Sequence, residues 1–154
     1  MGENGARRTP RFNHVAMSVS ADLLDDRGRK ELCDFYDEVF GWKELPTLTE
    51  DRRRLVLQAH ELEQFVFIIA DDPPMAAAHF DHFGLSVGTM DELDETYARA
   101  LAYKEKDDRV VIVDKKADVF TGLTLTAFYA GFLLPMMVEI QHYEYGAPLS
   151  DSAG

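Results

Sequence analysis

Two stretches of this chain are near copies of one another, and that repeat limits the folds open to it. Phe12-Asn13-His14-Val15-Ala16-Met17-Ser18-Val19 is echoed by Phe80-Asp81-His82-Phe83-Gly84-Leu85-Ser86-Val87. Phe, His, Ser and Val recur at the same four places, at a constant offset that carries His14 onto His82. An echo nearly half a chain away predicts two copies of one supersecondary unit. Each copy alternates apolar and polar residues, so each reads as a strand with one buried face. Val15, Met17 and Val19 share one face, and His14 shares the other with Ala16 and Ser18.

The rest of each unit follows from local signals. Residues 1–10 carry little apolar content and read as a loose tail. After the polar turn at 25–28, Leu32, Phe35, Tyr36, Val39 and Phe40 form one helical stripe. Gly41 supplies the stop. Strands are expected at 42–48, weakened by Pro46, at 55–59 and at 64–70. Asp71-Asp72-Pro73-Pro74 breaks the pattern and opens a connector over 71–79. In the second unit Thr89 and Glu92 form a capping box at a helix start. Met90, Leu93, Tyr97, Ala98 and Leu101 are its expected inner stripe. Strands follow at 109–113, at 123–129 and at 136–143, with Gly131 and Pro135 as interruptions.

The expected fold is therefore α+β, one domain over 11–145. It comprises two βαβββ modules, 11–70 and 80–145, and a short tail over 146–154. Its 154 residues suffice for a sound core. The net charge of −12 argues against a nucleic-acid partner, because phosphate binding needs a basic patch. The one compact basic run, Arg52 to Arg54, reads as a solvated hairpin edge. Cys33 stands alone, which fits a reducing compartment. No apolar run is long enough to span a bilayer as a helix. A cytoplasmic protein without a membrane partner is expected.

The last strands of the modules also align, Val66-Phe67-Ile68 with Val138-Glu139-Ile140. One copy has Phe67 where the other has Glu139. The flanking Val138 and Ile140 belong to the helix side, so Glu139 should share a face with the histidines. A carboxylate there needs a cation, a metal or water. Two imidazoles and one carboxylate with open positions suit Fe(II), Mn(II) or another divalent ion. His14, His82 and Glu139 are thus the expected metal ligands. The same three groups without metal would form a simple ion pair.

Gln141 and Tyr143 share the parity of Glu139 and should line the cleft. Tyr129 or Tyr143 could donate a proton to a bound oxygen, and both are the candidate catalytic residues. His60, at a hairpin, is the alternative base. Phe65 and Phe67, with Phe12 and Phe80, would give the cleft aromatic walls, so Phe65, Phe67 and Gln141 are expected to touch substrate.

Paired βαβββ units with His opening each one and Glu on the final strand resemble the vicinal oxygen chelate superfamily. That group includes glyoxalase I, extradiol dioxygenases, fosfomycin-resistance enzymes, methylmalonyl-CoA epimerases and bleomycin-resistance proteins. The resemblance implies curled mixed sheets around a cleft, helices outside, and a small-molecule substrate. It places His14, His82 and Glu139 on ligand positions. Phe67 takes the fourth, where glyoxalase I has a carboxylate and the epimerases an amide. Three-ligand sites are similar to those of the dioxygenases, which use Fe(II), and the fosfomycin enzymes, which use Mn(II); Zn, Ni and Co stay open. Phe128-Tyr129, Pro135 and Glu139 fit half of the dioxygenase signature, while Leu133 and Phe132 depart from it. The resemblance also implies a homodimer, with modules paired within one chain or between chains. It implies either a metal-dependent enzyme, dioxygenase-like in its most specific form, or a metal-free binding protein of the bleomycin-resistance type.

Overall fold

A computed structural model describes residues 9–46 and 52–146. Two four-stranded sheets and two long helices build it. In chain order these are β1 (His14–Val19), a 3-10 turn (Ala21–Leu24), α1 (Asp26–Phe40), β2 (Lys43–Glu44), β3 (Arg54–Gln58), β4 (Phe65–Ala70), β5 (His82–Ser86), α2 (Met90–Lys106), β6 (Val111–Phe120), β7 (Leu123–Gly131) and β8 (Met137–Tyr145). The sheets run β1-β4-β3-β2 and β5-β8-β7-β6. Both are mixed: β1 with β4 and β5 with β8 are parallel, and the other pairs are antiparallel. The duplication is therefore real in three dimensions, and the expected α+β class with two βαβββ modules holds. Neither sheet is closed into a barrel.

Helix starts follow their caps. Asp25 accepts a hydrogen bond from the Gly28 amide, and Gly41 ends α1 in the left-handed region (φ 75°). Gly28 lies against the preceding turn, where an added Cβ would stand 2.2 Å from the Leu23 carbonyl oxygen. Thr89 and Glu92 close the expected capping box on α2.

The core lies between each sheet and its helix and continues from one module to the other. Phe35 packs against Phe132 with ring centroids 4.7 Å apart and planes tilted by 32°. Tyr36 is fully buried and donates its hydroxyl hydrogen to the Phe132 carbonyl at 3.2 Å. Arg99 on α2 donates to the Val39 carbonyl at the end of α1. The two modules of one chain are thus joined through their helices.

Several boundaries differ from expectation. The strand expected at 42–48 is only Lys43–Glu44, and residues 47–48 lie outside the described ones, as do 1–8 and 147–154 of the expected tails. The inner stripe of α2 is Leu93, Thr96, Tyr97, Ala100 and Tyr103; Ala98 and Leu101 are exposed. Thr96 is tolerated inside because its hydroxyl donates to the Glu92 carbonyl. Gly131 does not interrupt β7. The strand expected at 109–113 extends to Phe120 as one arm of a long hairpin, although its sequence, Asp114-Lys115-Lys116-Ala117-Asp118, is polar. A register shift between Val113 and Lys116 marks a bulge.

Candidate metal centre

Strand parity fixes which side chains leave the core. On β8, Val138 and Ile140 are buried against the helix side, so Glu139 and Gln141 project from the opposite, open face. Register then sets their neighbours. Glu139 lies opposite Tyr129 on β7 and Gly84 on β5. His82 begins β5, one step along the same face.

Glu139 is buried, at 7% exposure, and its polar neighbours are close. Gln141 Nε2 donates to Glu139 Oε2 at 2.8 Å. The Tyr143 hydroxyl donates to Gln141 Oε1 at 2.7 Å. The first bond settles the amide's orientation, because a carboxylate only accepts and so takes the nitrogen, which leaves the oxygen for the Tyr143 hydroxyl. The Tyr129 hydroxyl is pushed up to about 12, first by its hydrogen bond to Glu139, then by burial and by the carboxylate's charge. Its ring meets the His82 ring edge to face at 4.9 Å.

His82 is oriented from behind. Its Nδ1 stands 2.6 Å from the Phe80 carbonyl oxygen. A carbonyl only accepts, so Nδ1 carries the hydrogen, and Nε2 of the neutral ring keeps its lone pair. That Nε2 faces Glu139 Oε2 at 3.4 Å. Two lone pairs facing each other across that gap call for a cation between them, either a proton or a metal. Two ligands about 2.1 Å from one ion stand roughly 3.0–3.4 Å apart, so the pair suits neighbouring positions on a divalent metal. A ligand imidazole whose other nitrogen donates to a carbonyl is the usual arrangement. Gly84 leaves the floor open: a Cβ there would lie 3.5 Å from Glu139 Oε2.

His14 lies on the open face of the first sheet, as its parity requires, but in another setting. Its ring stacks on Phe65 at 4.9 Å and 5°, and its Nδ1 contacts Asn13 Oδ1 at 2.8 Å. Among the described residues no three His, Cys, Asp or Glu side chains gather as a metal-holding group. The chain by itself therefore brings His82 and Glu139 together without His14. Phe67 stands on the same open face, between Ala16 and Val56 in register, and cannot act as a ligand. The open face of the first sheet is thus apolar around Phe65 and Phe67, and that of the second is polar around Glu139. His60 is exposed in its turn and borders, with His14, Phe65 and Trp42, a groove of about 500 Å3 between the modules.

Parity put Glu139, Gln141 and Tyr143 on one face, and the structure links them by hydrogen bonds there; Tyr129, drawn from the dioxygenase-like spacing, stands opposite Glu139. Sequence reasoning did not find the role of Gly84, whose signal was the absence of a side chain opposite Glu139.

No protein-family model and no curated protein matches the chain. Solved structures do. A putative glyoxalase family protein from Bacillus anthracis superposes with a TM-score of 0.61 at 15% identity, covering 90% of this chain and 98% of that one. The fold is that of the glyoxalase and bleomycin-resistance proteins. A lactoylglutathione lyase from Agrobacterium tumefaciens matches at 0.57 and 15%, over 88% of this chain and 96% of its own. A mutant fosfomycin resistance protein from Listeria monocytogenes, complexed with Mn(II) and 1S,2S-dihydroxypropylphosphonic acid, matches at 0.58 and 14%, over 92% and 95%. Among the described residues no helix is long and apolar enough to cross a membrane.

Proposed function

We propose that the chain is a metal-dependent enzyme of the vicinal oxygen chelate superfamily, acting on a small substrate that presents two adjacent oxygens. The observation that carries this reading is the 3.4 Å approach of His82 Nε2, the ring nitrogen that the Phe80 carbonyl does not engage, to Glu139 Oε2, with Gly84 leaving the floor beside them open. Fe(II) or Mn(II) is the favoured ion, with Zn, Ni and Co as alternatives. Bound there, it would polarise a substrate oxygen and stabilise the charge that develops on it. Ring cleavage of the extradiol type is the most specific form of the proposal.

The protein's own residues set the rest. Gln141, aimed by Tyr143, holds Glu139 Oε2 in place. Tyr129 keeps its proton at neutral pH and is the nearest proton carrier to the carboxylate. The Tyr143 hydroxyl donates to Gln141 and so positions it. Phe65 and Phe67 supply an apolar wall.

The third ligand comes from a second copy. β1 and β5 each end their sheet, so each has an outer edge without a strand beside it among those described. Unpaired edges of this kind are ready to take another chain. Phe12 and Phe80, at the same place in the repeat, are 75% and 62% exposed beside those edges. Joining β1 of one copy to β5 of another would set His14 of the partner subunit beside His82 and Glu139. The working form is then a cytoplasmic homodimer with two sites, each shared between chains.

The rival reading is a metal-free binder, favoured by the two neutral donors that already reach Glu139. Elemental analysis of fresh protein, followed by Mn(II) and Fe(II) titration, separates them. About one equivalent per chain is expected, falling at least tenfold in Glu139→Gln. No uptake by the unaltered chain leaves only the binder.

A further inference from the structure

The open face of the second sheet is a ladder that continues past the metal centre. Antiparallel register aligns side chains in rungs across β6, β7 and β8. The first rung holds Val113, Tyr129 and Glu139, and the second holds Lys116, Ala127 and Gln141. Two more follow: Asp118, Leu125 and Tyr143, then Phe120, Leu123 and Tyr145. β5 ends at Ser86, opposite Gln141, so the last two rungs run beyond it. From Glu139 to Tyr145 the rise is about 20 Å. Among the described residues the first sheet has no counterpart, since β3 begins at Arg54 and β4 stops at Ala70.

This extension is built rather than loose. The bulge on β6 directly follows the residue paired with Tyr129, and bulges bend a strand where pairing continues. Its two residues, which stand opposite Phe128 alone, are tied to α2, Asp114 by the Tyr97 hydroxyl at 3.1 Å and Lys115 by Asp94. Gly122, at φ 76°, turns the hairpin. The outer rungs are apolar and accessible: Phe120 is 57% exposed and Tyr145 is 78% exposed. The Tyr143 and Tyr145 rings lie nearly parallel, 15° apart. Lys116 pairs with Asp118 at 2.7 Å along one margin. Asp118 stands opposite Leu125, four residues along β7 from Tyr129 and so on the same face of the sheet.

We infer that the outer rungs bind the body of an elongated, planar aromatic substrate whose two adjacent oxygens sit at Glu139. This deepens the function proposed above and rests on it. The ring faces of Tyr143, Tyr145 and Phe120 favour an aromatic body over a polar one. Small Ala127, between Tyr129 and Leu125, leaves the passage from head to body open.

Maltol and 3-hydroxyflavone share one hydroxypyranone head and differ in the aromatic body. Calorimetric titration of both into protein as purified and into Mn(II)-loaded protein tests the inference. 3-Hydroxyflavone is expected to bind at least tenfold more tightly than maltol, since burying each additional ring adds roughly this factor or more. The double variant Phe120→Ser with Tyr145→Ser should abolish that advantage and leave maltol unchanged. Both positions are exposed, and circular dichroism checks the fold. Equal affinities for the two compounds, or an advantage kept in the variant, overturn the inference. So does a change of the variant's sedimentation from dimer to monomer, which would make the rungs a contact between copies. If Glu139→Gln leaves the binding of both compounds intact while the double variant loses the advantage, the aromatic track stands and the metal reading falls.

Discussion

At the residue scale, Glu139 gathers more of the molecule's chemistry than any other side chain. It receives Gln141 and Tyr129 as neutral donors and faces the lone pair of His82. These groups, rather than a Lys or Arg, offset the burial of the carboxylate. The cost falls on Tyr129, whose hydroxyl is pushed up to about 12. The sign of the pH effect follows. Below pH 10 tyrosine is protonated in both the folded and the unfolded chain, and the bond to Glu139 contributes fully. Between about pH 10 and 12 the unfolded chain loses the proton first, so the folded state loses ground as pH rises. Tyr129→Phe should therefore make the alkaline decline in stability shallower, as read by urea midpoints from pH 9 to 12. An unchanged slope would mean that the hydroxyl does not hold its proton against Glu139.

At the scale of elements, the close seat of α1 on the turn before it depends on one missing methyl group. Gly28→Ala would press a Cβ into the Leu23 backbone, which cannot yield as a flexible side chain would. A loss of roughly 2–3 kcal/mol is expected in chemical denaturation, the range of an overpacked core position. Elements were legible in the sequence where one signal acted alone. The period of two put His14, His82 and Glu139 on the open faces, and the Thr89–Glu92 box marked the start of α2. They were less legible where signals competed. Ala98 and Leu101 are apolar yet exposed, while Thr96 turns inward because its hydroxyl has a local acceptor. The outer half of β6 reads as a polar loop, and only its ladder to β7 makes it a strand. Nothing in the composition of 114–118 announces that ladder.

At the scale of the molecule, the three proposed ligands lie on two different sheets, and a mixing experiment follows. One preparation carries His14→Ala and the other Glu139→Gln, and each alone should hold almost no metal. If sites are shared between chains, unfolding and refolding the two together rebuilds one intact site in every mixed dimer. About a quarter of all sites should then recover, the value for random pairing of two chains. Pairing within one chain would recover none. Sequence parity put the candidate residues on the open faces of the sheets, but it does not say whether one chain or two would bring them together. Which sheet edges meet is decided by packing between modules, and the repeat is identical in either arrangement.

The buried contacts of Phe35 and Tyr36 with Phe132 bear on how the chain can be cut. Each half leaves part of its helix layer uncovered without the other half. A half expressed by itself would bare those rings to water, so it should pair or aggregate rather than persist as a folded monomer.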